Sequence, residues 1–104
     1  MPPYPVALSS KHCRTLCALF AEPTRSDLRW SDFISLYRAL GGAKPKTGKT
    51  GGSRRRLQLH GVRAVLHEPH PDPRMKKGSV ESARDFLRNA GVTPAKEGCK
   101  CDRT

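Results

Sequence analysis

Apolar positions along the chain fall into four groups, separated by polar, glycine-rich and proline-rich stretches. In "SKHCRTLCALFAEP", Ser10 to Pro23, Leu16, Leu19 and Phe20 recur at helical spacing and Pro23 stops the run, which predicts a short helix. In "WSDFISLYRALGG", Trp30 to Gly42, Phe33, Leu36, Tyr37 and Leu40 share one face. Ser31 reads as the N-cap of that helix, Asp32 as a first-turn acid favoured by the dipole, and Gly41 as its left-handed C-cap. Trp30 reads as a staple onto Ile34. The period then drops to two. In "RRRLQLHGVRAVLH", Arg54 to His67, Leu57 and Leu59 alternate with polar residues. His60-Gly61 resembles an Asn-Gly tight turn, and "VRAVL" returns, which together predict a β-hairpin. From Gly78 to Val92 the helical period resumes. Val80, Ala83, Phe86, Leu87 and Ala90 face inward, and Arg84 and Arg88 lie on an exposed side. Ser79 reads as the cap, and Gly91 and Pro94 end the helix.

The order helix, helix, hairpin or three-stranded sheet, helix predicts a small two-layer α+β domain, with helices on one face of a short antiparallel sheet. Residues 1–9 read as a disordered, proline-rich arm, 10–94 as the domain, and 95–104 as a flexible polar tail. The glycine-rich stretch Ala43 to Ser53 reads as a mobile loop with a short edge strand.

Charge narrows the partner. The 104 residues hold 20 Lys and Arg against 9 Asp and Glu, a formal net charge of +11. That imbalance favours an anionic partner: nucleic acid first, an acidic protein second. A membrane is not expected. No run approaches the roughly 18 apolar residues of a spanning helix, and no segment joins a basic face to a strong apolar one. "LCALFA" falls short of the roughly 7–15-residue apolar region of a secretory signal, so the expected compartment is the cytoplasm. There, Cys13, Cys17, Cys99 and Cys101 read as free thiols. A zinc site from His12, Cys13 or Cys17 with the "CKC" tail has one pair of customary ligand spacing, Cys13-x₃-Cys17, so neither metal nor cofactor is expected.

Six basic residues and no acid lie between Lys44 and Arg56, and Arg74, Lys76 and Lys77 precede the last helix. These clusters read as one phosphate-binding surface that takes in Ser53, Arg54, Arg55, Arg56, Lys76 and Lys77, with the N-terminus of the Ser79 helix as an extra anion site. His12 and His60 read as structural. His67 and His70, three apart in the proline-rich "LHEPHPDPRMKKGS", differ: a histidine pair can serve as acid and base near neutral pH. RNA carries its own nucleophile, the 2′-hydroxyl. A base, an acid for the leaving 5′-oxygen and a cation on the phosphate suffice for cleavage without metal.

The stretch "GGSRRRLQLHGVRAVLHEPHPDPRMKKGSVESARDFLRNAGV" resembles the HicA family of bacterial toxins. The similar features run in order: a Gly-Ser at a strand start, a hairpin, a proline and histidine at its exit, "KKGS" before a helix, and an "FLRNAGV" ending. "KHCRTLCALFAEP" and "RWSDFISLYRALGG" resemble a longer-headed subgroup. The resemblance implies a fold like double-stranded-RNA-binding domains, the toxin role in a type II toxin–antitoxin system, mRNA cleavage and a HicB-type antitoxin as partner. The best-known members carry Gly-Ser-His, with that histidine catalytic. Here Arg54 follows Gly52-Ser53, and arginine cannot act as a base at neutral pH. Arg54 is then expected to clamp phosphate, while His70, matching the family's second histidine, and His67 carry the chemistry. The alternatives are a non-catalytic RNA- or DNA-binding module of the same fold and a protein whose basic face binds an acidic protein.

Overall fold

The hairpin forms where the sequence changes period. In a computed structural model, which describes residues 8–47 and 52–101, the elements run α1 (Ser10–Leu19), α2 (Trp30–Ala39), β1 (Lys46–Thr47), β2 (Arg54–Leu59), β3 (Val62–His67) and α3 (Lys77–Asn89). The three strands form an antiparallel sheet in the order β1-β2-β3. The fold is α+β, as the pattern predicts. The expected arm lies largely outside the described residues, as do positions 48–51 of the glycine-rich loop.

His60 and Gly61 both take positive φ, 50° and 82°, as a two-residue hairpin turn requires. That turn pairs Leu59 with Val62 and fixes the register outward to Arg54 with His67. Leu57, Leu59 and Leu66 therefore point to one side, where they are buried with Phe33, Leu36, Tyr37, Val80, Phe86 and Leu87. Both ring nitrogens of His60 lie against helix-end carbonyls, Nδ1 2.9 Å from Ala90 O and Nε2 3.3 Å from Leu40 O. His60 thus ties the turn to the ends of α2 and α3, the structural role expected of it. His12 is structural too, with Nε2 2.9 Å from Ser35 Oγ, joining α1 to α2.

β2 extends beyond the two residues of β1, and Tyr37 fills the gap. Its hydroxyl accepts from the Gln58 N–H at 2.9 Å and donates to Ala43 O, while Ala43 N–H donates to Gln58 O at 3.0 Å. The ring of Tyr37 lies where a Cβ on Gly42 would be, only 2.3 Å from that position, so no larger residue fits there.

Helix starts differ from the expectation. Arg29 and Lys76, not Ser31 and Ser79, are the N-caps, and neither makes a side-chain cap bond. The cause is long-range. Arg29 and Arg74 form an antiparallel bridge, with Trp30 N–H donating to Pro73 O at 3.0 Å and Met75 N–H to Leu28 O at 2.7 Å. This pairing holds residues 28–29 and 74–75 extended and sets where both helices begin. Trp30 packs edge-on against Phe33, at 5.6 Å between ring centroids.

Arg84 is a second departure. It is 8% exposed rather than on an outer face. Its Nε donates to Leu19 O at 2.8 Å, Nη2 to Thr24 Oγ1 at 3.1 Å, and Nη1 to Glu22 Oε2 at 3.2 Å. It thereby serves the carbonyls at the end of α1, which that helix leaves unpaired. Arg88 is exposed as expected and lies over the Phe20 ring, 5.4 Å from its centroid.

The cysteines and the tail differ most. Cys13 is bonded to Cys99 and Cys17 to Cys101, where free thiols were expected. After Val92 the chain turns, with Cys99 N–H donating to Pro94 O at 2.8 Å, and returns along α1. The stretch 95–101 is therefore folded against the helical layer rather than loose, and Cys99 is buried.

Candidate nucleic-acid interface

Period-two alternation gives the hairpin two unlike faces. Opposite the leucines, β2 presents Arg54, Arg56 and Gln58, and β3 presents Arg63, Val65 and His67. The register sets Arg54 beside His67, Arg56 beside Val65 and Gln58 beside Arg63, and β1 adds Lys46 beside Arg56. All seven are exposed, and none is acidic. The helices cover the inner face, so this outer face is open. A shallow depression of about 600 Å³ runs across it, lined by Lys44, Lys46, Arg56, Gln58, Arg63 and Val65. Val65 is 52% exposed, an apolar spot inside a basic field.

At one end of this face stands His67. Its Nδ1 is 3.1 Å from Ser53 Oγ. Ser53 is itself fixed, because Glu68 N–H donates to its carbonyl at 2.8 Å. With Nδ1–H donating to the serine oxygen, the Nε2 lone pair is free to take a proton; with the hydroxyl donating instead, Nε2 carries the hydrogen. Arg54, the cross-strand neighbour of His67, is exposed and makes no side-chain bond among the described residues.

The expected site residues divide. Ser53, Arg54, Arg56 and His67 come together on the outer face. Arg55 points the other way. Its Nε donates to Glu68 at 3.0 Å, and its Nη1 donates to Gly52 O at 2.8 Å and Arg54 O at 3.0 Å. Arg55 therefore braces the strand start and is not free for phosphate. His67 is the last residue of β3 rather than part of the loop. His70 is exposed in the loop beyond, ahead of a cis peptide to Pro71, with no side-chain bond among the described residues. Lys76, Lys77 and Ser79 belong to the helical layer, and Ser79 lies within α3 rather than at its cap. Arg74, also basic in the sequence, is held bidentately by Asp72, at 2.8 and 3.1 Å. Those hydrogen bonds from Arg74 pull the Asp72 carboxyl down to about 2.

Arg63 lay outside the expected site, and Lys46, though within the basic run from Lys44 to Arg56, was not named among its residues. The signal for Arg63 was present in the sequence, since a two-residue turn at His60-Gly61 places it across from Gln58 on the arginine face. Lys46 depends on a two-residue strand that no periodicity marks.

No family model, curated protein or solved structure matches this chain. Among the described residues, no helix is long and apolar enough to cross a membrane.

Proposed function

We propose that the chain is an RNA-binding protein that cleaves mRNA without metal, the toxin component of a type II toxin–antitoxin pair. The observation that carries this reading is the outer sheet face, where Lys46, Arg54, Arg56 and Arg63 share one surface with a histidine held by a serine at its end, and none of these residues is acidic. Phosphates are the ligand such a face suits, since each Lys or Arg neutralises one and releases a counterion. Among the described residues it carries no Phe, Tyr or Trp on which a base could stack. Binding then tracks the backbone, with Gln58 offering hydrogen bonds beside it.

His67 is the general base in this reading. Ser53 accepts its Nδ1–H, which leaves Nε2 to take the proton from a 2′-hydroxyl. The 2′-oxygen attacks the adjacent phosphorus, and the 5′-oxygen of the next nucleotide leaves. A 2′,3′-cyclic phosphate remains on one product and a 5′-hydroxyl on the other. Arg54 donates to the non-bridging oxygens as charge gathers on them. His70, three residues on, supplies the leaving oxygen's proton. The resemblance to HicA toxins supports the mRNA substrate and a HicB-type antitoxin whose acidic surface covers the basic face. The cytoplasm is the compartment in which that substrate is met.

The test is incubation of the purified chain with RNA in EDTA, with analysis of product ends. Cleavage leaving 2′,3′-cyclic phosphate, lost in His67→Ala with RNA affinity retained, is the expected result. Tight binding with intact RNA would identify a non-catalytic binding module, with Arg54 in place of the family's histidine as the reason.

A further inference from the structure

The two disulfides join elements, not neighbours. Cys13 and Cys17 are one helical turn apart on the same face of α1, and Cys99 and Cys101 flank one residue of the returning tail. Cα–Cα distances across the pairs are 5.3 and 5.4 Å. Side chains four apart on a helix stand about 5–6 Å apart at Cβ. All four sulfurs therefore meet in one small patch.

Four cysteines from a helix and the irregular segment that returns along it match the donor set of a Cys₄ structural zinc site, tetrahedral with Zn–S near 2.3 Å. In the disulfide-bonded form no three His, Cys, Asp or Glu side chains among the described residues are grouped to hold a metal. We propose that the reduced chain binds one zinc ion through Cys13, Cys17, Cys99 and Cys101. The cluster is thus a redox-gated metal site in which either two disulfides or one zinc ion clamps the tail onto α1.

The balance is simple. Each disulfide takes two electrons and two protons from a dithiol, which is itself oxidised to a disulfide. Zinc then bonds four thiolates, and four protons pass to the buffer. The tetrathiolate complex carries two net negative charges. Arg14 and Lys100 line the same open groove as the cysteines and offset them. Glu22, also on that groove, is drawn toward Arg84 at 3.2 Å. The proposal is independent of the RNA reading, since the sheet face takes no part in it.

The experiment uses the full chain reduced anaerobically, titrated with cobalt(II) and then zinc(II), with helix content followed by circular dichroism. The expected result is one cobalt per chain, with the visible bands of a tetrahedral tetrathiolate complex. Zinc displaces the cobalt, and the oxidised chain binds neither. If reduction alone unfolds the chain, recovery of helix with those bands supports the site equally. Cys99→Ser/Cys101→Ser, which leaves Cys13 and Cys17 in place, loses the bands. A reduced chain giving no tetrahedral bands, folded or unfolded, overturns the proposal, and so does equal binding by the double variant.

Discussion

The two faces of one hairpin are built from alternate residues of the same two strands, yet they answer to different physics. The inner face, with Leu57, Leu59 and Leu66, is 1–5% exposed and packs into the core that the helices share. The outer face, with Lys46, Arg54, Arg56 and Arg63, holds like charges together in water, where they repel. One face stabilises the fold. The other buries little apolar surface, and it is the face proposed above to bind phosphate. A residue's contribution here is set by which side of the sheet it reaches.

That contrast is open to attack from both sides. The largest effect is expected at Leu59→Ala, which empties a buried site and costs about 2–5 kcal/mol by denaturant unfolding. Gln58→Ala, one residue away on the outer face, should stay within about 0.5 kcal/mol. Next comes Arg84→Met, which leaves the Leu19 carbonyl without its donor and should cost about 1–3 kcal/mol in the same assay. His60→Ala removes the imidazole that lies against the two helix-end carbonyls while keeping a positive φ that alanine adopts poorly, and should cost about 1–2 kcal/mol. The smallest effect is expected at Asp72. The Asp72 carboxyl is held at about 2 against an ordinary 3.8, so its contribution is complete above about pH 4 and fades as pH falls through about 2. Asp72→Asn should remove that contribution, giving a small loss of stability at neutral pH that disappears in acid, where the parent has lost it too.

Much of this arrangement was legible in the sequence. The alternation of Leu57 and Leu59 and the His60-Gly61 turn were enough to place the hairpin, and the 3–4 spacing of Val80, Ala83, Phe86 and Leu87 to place α3. The helix starts were not, because the Arg29–Arg74 bridge pairs segments far apart in the chain and overrides the serines. Arg84 misled because nothing local tells an arginine that caps another helix from one in solvent. The cysteine pairs were hidden for the same reason, since Cys99 and Cys101 meet α1 only after the tail turns back. At the candidate site, the register sets Arg54 beside His67, with Arg56 on the same face. Lys76, Lys77 and Ser79 were grouped with them by charge and helix position, whereas the fold puts them in the other layer.

That last difference gives the most direct test. The measurement is RNA affinity against salt concentration for the parent chain, for Arg56→Gln/Arg63→Gln and for Lys76→Gln/Lys77→Gln. If the outer sheet face is the interface, affinity falls steeply with salt in the parent. The sheet variant then binds more weakly, with a log–log slope shallower by about 1 for each phosphate it no longer neutralises. The lysine variant stays close to the parent. Weakening by the lysine variant alone, or a parent affinity indifferent to salt, would contradict the account.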